Sequence, residues 1–150
     1  MRTVAILLVA ALAACSHKTT STPVGDAEAA KLLINRNWLD VMPKTERDHL
    51  FVYRFVPDMG GGVFQDRTLY KGTFELFTFS VEGDKIHFVL PETHTDATSH
   101  FTIEEVDGPK PFDLKLTITD DPRGPHVYYG WRSETDRDGH LLEQRLHETR

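Results

Sequence analysis

One cysteine is all that the 150 residues contain, and it stands at position 15. No disulfide can form within the rest of the chain, so in an oxidising compartment a packed core has to supply its stability. No apolar run approaches the roughly 20 residues that a membrane-spanning helix needs. Positive charge is in the minority: 17 Lys and Arg stand against 23 Asp and Glu, for a formal net charge of −6. A nucleic-acid backbone is gripped by a basic stripe, so this balance argues against such a partner. The acidic residues are spread along the chain, as in a solubilising surface. Ser16, Ser21, Ser80, Ser99 and Ser133 have no G-x-S-x-G context. Glu104 and Glu105 are neighbours in an expected strand, where they face opposite ways and cannot share one substrate atom. No enzyme signature and no cofactor motif emerges.

What is present begins at the N-terminus. Arg2 gives a positive start, residues 4–12 are apolar, and small residues follow. This is the anatomy of a secretory signal peptide, with a middle too short to span a bilayer. The stretch Leu12-Ala13-Ala14-Cys15 resembles the lipobox of bacterial lipoproteins at all four positions. That resemblance implies a thioether-linked diacylglycerol on Cys15, cleavage before it and a fatty acid on the new amino group. Several acyl chains anchor stably where one is marginal, so the expected partner is the lipid bilayer. Ser16 rather than Asp follows the cysteine, and the resemblance then points to the outer membrane over the inner. The alternative is an ordinary signal peptide whose removal leaves Cys15 free. Removal of residues 1–14 takes away Arg2 and moves the side-chain charge from −6 to −7.

With 39% hydrophobic and 27% charged residues, the remainder fits one globular domain. Residues 15–25, with the run SHKTTSTPVG, read as a polar tether. Residues 26–133 read as the single domain and 134–150 as a charged tail. A short helix is expected over about 27–35, with Asp26 as cap and Leu32 and Leu33 as its apolar edge. From Trp38 onward, aromatic and β-branched clusters alternate with Pro, Gly, Asp and Asn punctuation. Strands are expected near 38–41, 50–56, 62–69, 72–81, 85–90, 99–106, 112–119 and 126–132. In FDLKLTIT, Phe112, Leu114, Leu116 and Ile118 share one face. In TFELFTFSV, Phe74 and Leu76 lie opposite Phe77, Phe79 and Val81, which suggests a bulge or cover on both faces. The short connections favour antiparallel neighbours. A mainly β meander of about eight strands is therefore expected, closing as a small barrel or folding over as a sandwich. Leu142 and Leu146 could dock a short C-terminal helix, although a frayed tail is the preferred reading of this segment.

A helical lead-in, NRNW opening the first strand, successive antiparallel strands and YYGWR near the end together resemble a lipocalin-like (calycin) barrel. The resemblance implies that Trp38 packs at the closed end and that Arg132 lies across its indole. A guanidinium over an indole face gains cation–π attraction. Arg36 stands where the family pattern has glycine.

Three further patterns invite chemistry. Glu92, His94, Asp96 and His100 carry ligand atoms for a divalent ion, of which His94, Asp96 and His100 are the candidates, although a solvated loop is the preferred reading. Gly60-Gly61-Gly62 has no following Lys-Ser or Lys-Thr and reads as a flexible hairpin loop, or a loop at the mouth of a barrel, not a phosphate cradle. The segment around Asp138 fails as a calcium loop because Arg145 falls where the bidentate Glu is needed. Aromatic content points elsewhere. Phe51, Tyr53, Phe55, Phe88, Phe101 and Tyr129 are candidates to line a cavity at a barrel mouth. The expected function is a non-enzymatic, membrane-anchored binding module for a small hydrophobic or amphipathic ligand or lipid. The alternative is a protein-interaction, assembly or inhibitor lipoprotein with a solid core.

Overall fold

The alternation in FDLKLTIT becomes a strand whose Leu114, Leu116 and Ile118 are fully buried, with Lys115 and Thr117 half-buried between them. The computed structural model that shows this describes residues 20–135 and 140–148. Its strands are β1 (Ser21–Pro23), β2 (Asn37–Leu39), β3 (Leu50–Val56), β4 (Gly61–Arg67), β5 (Gly72–Glu82), β6 (Lys85–Leu90), β7 (Thr95–Val106), β8 (Leu114–Ile118) and β9 (Val127–Gly130). From β2 to β9 each strand pairs antiparallel with the next, and β9 returns to β2 through Leu39 and Tyr129. That return closes an eight-stranded barrel and excludes the sandwich. β5 and β7 are long because each serves two neighbours in succession. The first half of β5 pairs with β4 and the second with β6, while β7 passes from β6 to β8.

The period break expected in β5 does not exist. Its register is continuous through Gly62↔Phe77 and Thr78↔Val89, with neither bulge nor second cover. Phe77 is buried while Phe74 and Leu76 point to solvent, so the apolar residues of its first half lie on the outer wall. The alternation is unbroken, and it looks irregular in the sequence because the hydrophobes face outward in the first half and inward in the second.

Two segments are more ordered than the sequence suggested. Residues 21–23 are not tether. Ser21, Thr22 and Pro23 pair with Val106, Glu105 and Glu104, and the Val24 amide donates to the Ile103 carbonyl at 3.0 Å. Extended polar residues can join an open sheet edge through backbone bonds alone, which leaves little sequence signature. Proline is tolerated in such an edge strand. The C-terminal segment is not a frayed tail either. Helix α2 (His140–Glu148) docks Leu142 and Leu146 on the outside of the barrel, against Leu39, Leu50, Val52, Leu69, Phe112 and Trp131. Helix α1 (Asp26–Leu33) starts one residue earlier than expected, with Gly25 in the cap position and Asp26 and Glu28 in the first turn. Carboxylates there complement the helix N-terminus. Ala29, Leu32 and Leu33 join the lumen core with Trp38 and Phe55. Positions 1–14, Cys15, Asp138 and Gly139 lie outside the described residues.

Gly60-Gly61-Gly62 is not a flexible loop. Gly60, left-handed at φ 77°, ends a 3₁₀ turn (Pro57–Met59), and the other two glycines begin β4. A Cβ on Gly62 would lie 2.3 Å from Phe77 Cζ and 2.5 Å from the Arg54 carbonyl oxygen, so the missing side chain is the space the Phe77 ring fills.

Candidate functional site

Strand period decides which aromatics reach the lumen. Tyr53, Phe55, Phe88 and Phe101 do so and are buried. The rings of Tyr53, Phe55 and Phe88 meet others: Tyr53 lies 5.3 Å from Phe55 and 5.1 Å from Tyr128, while Phe77 lies 5.6 Å from Phe55 and 5.5 Å from Phe88, between centroids. Phe51 is half-buried and stacks on Phe64 at 5.7 Å. Tyr129 does not line the lumen. It points outward and stacks on Phe112 at 5.5 Å, within the layer beneath α2. The inward tyrosine is Tyr128. Two adjacent tyrosines followed by Gly-Trp left the phase of this strand undetermined in the sequence.

The loop between β8 and β9 turns into one end of the barrel and carries a carboxylate with it. Asp121 accepts the Tyr53 hydroxyl at Oδ1, 2.8 Å, and the Tyr128 hydroxyl at Oδ2, 2.5 Å. The backbone amides of Arg123, at 2.9 Å, and His126, at 3.3 Å, complete its shell. Burial, reinforced by the negative charge of Asp121, pushes both tyrosine hydroxyls well above the ordinary tyrosine range. Both remain protonated donors, and the carboxylate is saturated. The cluster therefore fastens the loop in the barrel mouth and leaves no open position for a reacting atom. Ser99 Oγ donates to the Asp120 carbonyl at 3.0 Å, and the Arg123 guanidinium pairs with Glu75, adding two more fastenings. Glu75 faces inward because Phe74 and Leu76 face out. Sequence reasoning passed over Asp121, since an acid in DDPRGP resembles any solvated turn.

At the α1 end, Trp38 is fully buried and its Nε1 donates to the Leu33 carbonyl at 3.0 Å. Gly130 passes close to it: a Cβ there would sit 3.1 Å from indole Cε3 and Cζ3 and 3.3 Å from Arg36 Cδ. The expected stack of Arg132 on Trp38 is corrected. β9 ends at Gly130, and the Arg132 guanidinium lies outside, donating to Glu28 Oε1 at 2.7 Å and to Glu105. Arg36 is a buried cation at this end: its Nε donates to the Leu32 carbonyl at 2.8 Å and its Nη1 donates to the Trp131 carbonyl. Burial lowers its pKa, and the charges of Glu134 and Asp113 oppose that shift. Among the described residues, the cation over an indole face is Arg145 above Trp131, 4.2 Å from the ring centroid.

The histidine pattern does not converge. His94 sits in the β6–β7 turn with φ 52°, Asp96 is exposed on β7, and His100 Nδ1 pairs with Asp84 Oδ2 at 2.8 Å. Among the described residues, no group of three or more His, Cys, Asp or Glu could hold a metal ion.

The open apolar surface is on the outer wall of β4 and β5. Met59, Phe74, Leu76 and Tyr70 are 81%, 68%, 59% and 59% exposed. They line a groove of about 410 Å³ with Val63, Arg67 and Lys71, and an adjoining one of about 240 Å³ shares Met59, Val63 and Leu76. Contiguous exposed hydrophobes on a folded domain mark interaction surfaces. No family model matches the chain, and neither a curated protein nor a solved structure matches it.

Proposed function

We propose that this chain is a membrane-anchored envelope lipoprotein, acylated on Cys15 and held at the outer membrane, whose barrel is an interaction module. It acts through its outer wall and is not a carrier of an enclosed ligand. The anchoring half of this reading is supported by Leu12-Ala13-Ala14-Cys15 at the end of a signal-like stretch. The observation that carries the second half is the inside-out distribution of aromatics. Tyr53, Phe55, Phe77 and Phe88 touch one another across the lumen, while Phe74 and Leu76, on the same β5 strand as Phe77, face solvent. A carrier of the size class expected from the sequence needs the reverse, a lumen lined but not filled.

Native mass spectrometry of the protein extracted from its envelope tests both halves. The expected mass is the mature chain plus the acyl groups on Cys15, with no further lipid. An unmodified Cys15 overturns the anchor. A second lipid-sized mass that survives extraction and is lost when Phe88 is enlarged to Trp overturns the filled-lumen reading.

A further inference from the structure

We propose that the groove on the outer wall of β4 and β5 faces the membrane, and that its occupant is the phospholipid bilayer to which the anchor ties the chain; this rests on the anchoring reading above. The side chains are placed for it by register. Phe74 and Leu76 stand opposite Gln65 and Val63 on a continuous ladder, so both are held outward by the strand period. Met59 projects from the 3₁₀ turn beside them, and Tyr70 closes the hairpin.

Charge permits the occupant. In a chain of net charge −6, this groove is lined by two cations and no acidic residue. Arg67 is paired with Glu143 at 2.6 Å and the Tyr70 hydroxyl donates to Glu46 at 3.0 Å, so these two acids at the rim balance Arg67 and Lys71 and leave the groove close to neutral in a chain that is acidic as a whole. Exposed aliphatic and aromatic side chains beside a lysine form the arrangement that settles at the boundary between headgroups and acyl chains. A near-neutral patch on an otherwise acidic surface approaches anionic headgroups without the repulsion that the rest of the surface meets.

The reach of the chain agrees. Val89 extends the apolar strip, being exposed and opposite Thr78 on one side and Asp96 on the other. Ser21 stands opposite Val106 at the far end of the same β7 strand. The ten residues between Asp96 and Val106 correspond to about 33 Å of strand. From Cys15 to Thr20 the chain spans at most about 17 Å. An anchor at one end of the β7 side and an apolar patch towards the other lay the barrel along the bilayer. Tethering raises the local concentration of the patch at the lipid surface, so modest affinity is enough.

The test uses the mature chain with Cys15→Ser, which has no acyl group, and vesicles of phosphatidylethanolamine with a minority of phosphatidylglycerol. The chain is expected to partition onto the vesicles. Phe74→Ser/Leu76→Ser should weaken partitioning about tenfold, with an unchanged thermal midpoint because both side chains are exposed. In a Phe74→Trp variant, brominated lipids should quench the new indole, while Trp38 and Trp131 are buried and contribute little. No vesicle binding, equal binding by the double variant, or an unquenched indole overturns the proposal. So does crosslinking of position 74 to a protein while vesicles are ignored. Acyl mass on Cys15 is read separately, so failure of the anchor and failure of the patch are distinguishable.

Discussion

The Tyr128 hydroxyl donates to Asp121 Oδ2 at 2.5 Å inside the barrel, joining a strand to a loop that would otherwise lie in solvent. Removal of the acceptor leaves two buried hydroxyls, Tyr53 and Tyr128, without it. Asp121→Ala should destabilise the fold by about 3 kcal/mol, and Asp121→Asn by less, because its amide oxygen can still accept one hydroxyl. Urea unfolding measures both. A loss under about 1 kcal/mol in the alanine variant would show that the loop is not fastened by this group.

Gly62 is the second point of leverage. A methyl at this position meets the Phe77 ring at 2.3 Å and the Arg54 carbonyl oxygen at 2.5 Å, and the carbonyl cannot move without the β3 backbone. Gly62→Ala should cost about 2 kcal/mol or more. The thermal midpoint reads this, and an unchanged midpoint would contradict the packing described.

The C-terminal helix gives a sharp contrast between alternatives. Leu146 is 2% exposed, on the face of α2 that packs against the barrel. Leu146→Ala should cost about 2–4 kcal/mol if the helix is docked and nearly nothing if the segment is frayed. Chemical denaturation separates the two.

At the α1 end the two arginines should behave differently. Arg132 is at the surface, and Arg132→Ala should cost less than about 1 kcal/mol, since exposed ion pairs contribute little. Arg36→Ala should cost about 2 kcal/mol, because the Leu32 and Trp131 carbonyls lose a buried charged donor. Equal effects would revive Arg132 as the group that closes the barrel.

The β1 strand should be sensitive to acid. Lys115 Nζ donates to Glu104 Oε2 at 2.8 Å and Ser21 Oγ to Oε1 at 3.1 Å, holding the carboxyl below its ordinary value of 4.5. The fold therefore favours the ionised form. Its contribution is present above about pH 4.5 and is lost as pH falls through the lower value of the folded state. A carboxyl-carbon titration by NMR should find Glu104 below the ordinary range and move upward in Lys115→Ala. No change in that variant would remove the pairing as the cause.

Much of the barrel was legible because its strands obey a simple period. β3 and β6 have the ends expected of them, and the closing meander followed from turns too short for crossovers. What escaped detection has a common physical character. β1 is held by backbone bonds, which Ser-Thr-Pro does not advertise. The inward turn of Asp121 depends on two tyrosines 68 and 7 residues away. Arg132 follows YYGW, yet β9 stops before it, and a guanidinium buried at this end comes from Arg36. In β5, alternation was present throughout, but the hydrophobes change sides, with Glu75 inside and Leu76 outside. Read for burial alone, that pattern looks irregular. Read as an outer surface in its first half and a core in its second, it is regular.

The pairing of Ser21–Pro23 with the end of β7 has a mechanical consequence. If the lead is anchored as proposed, a pull directed along β1 loads its three residue pairs with β7 in shear. From β7 the force spreads into β8. α1, which packs against Trp38 at the barrel end, comes after the clamp and is spared the load. Under that anchoring the short strand works as a strain relief, like the grip where a cable enters a housing.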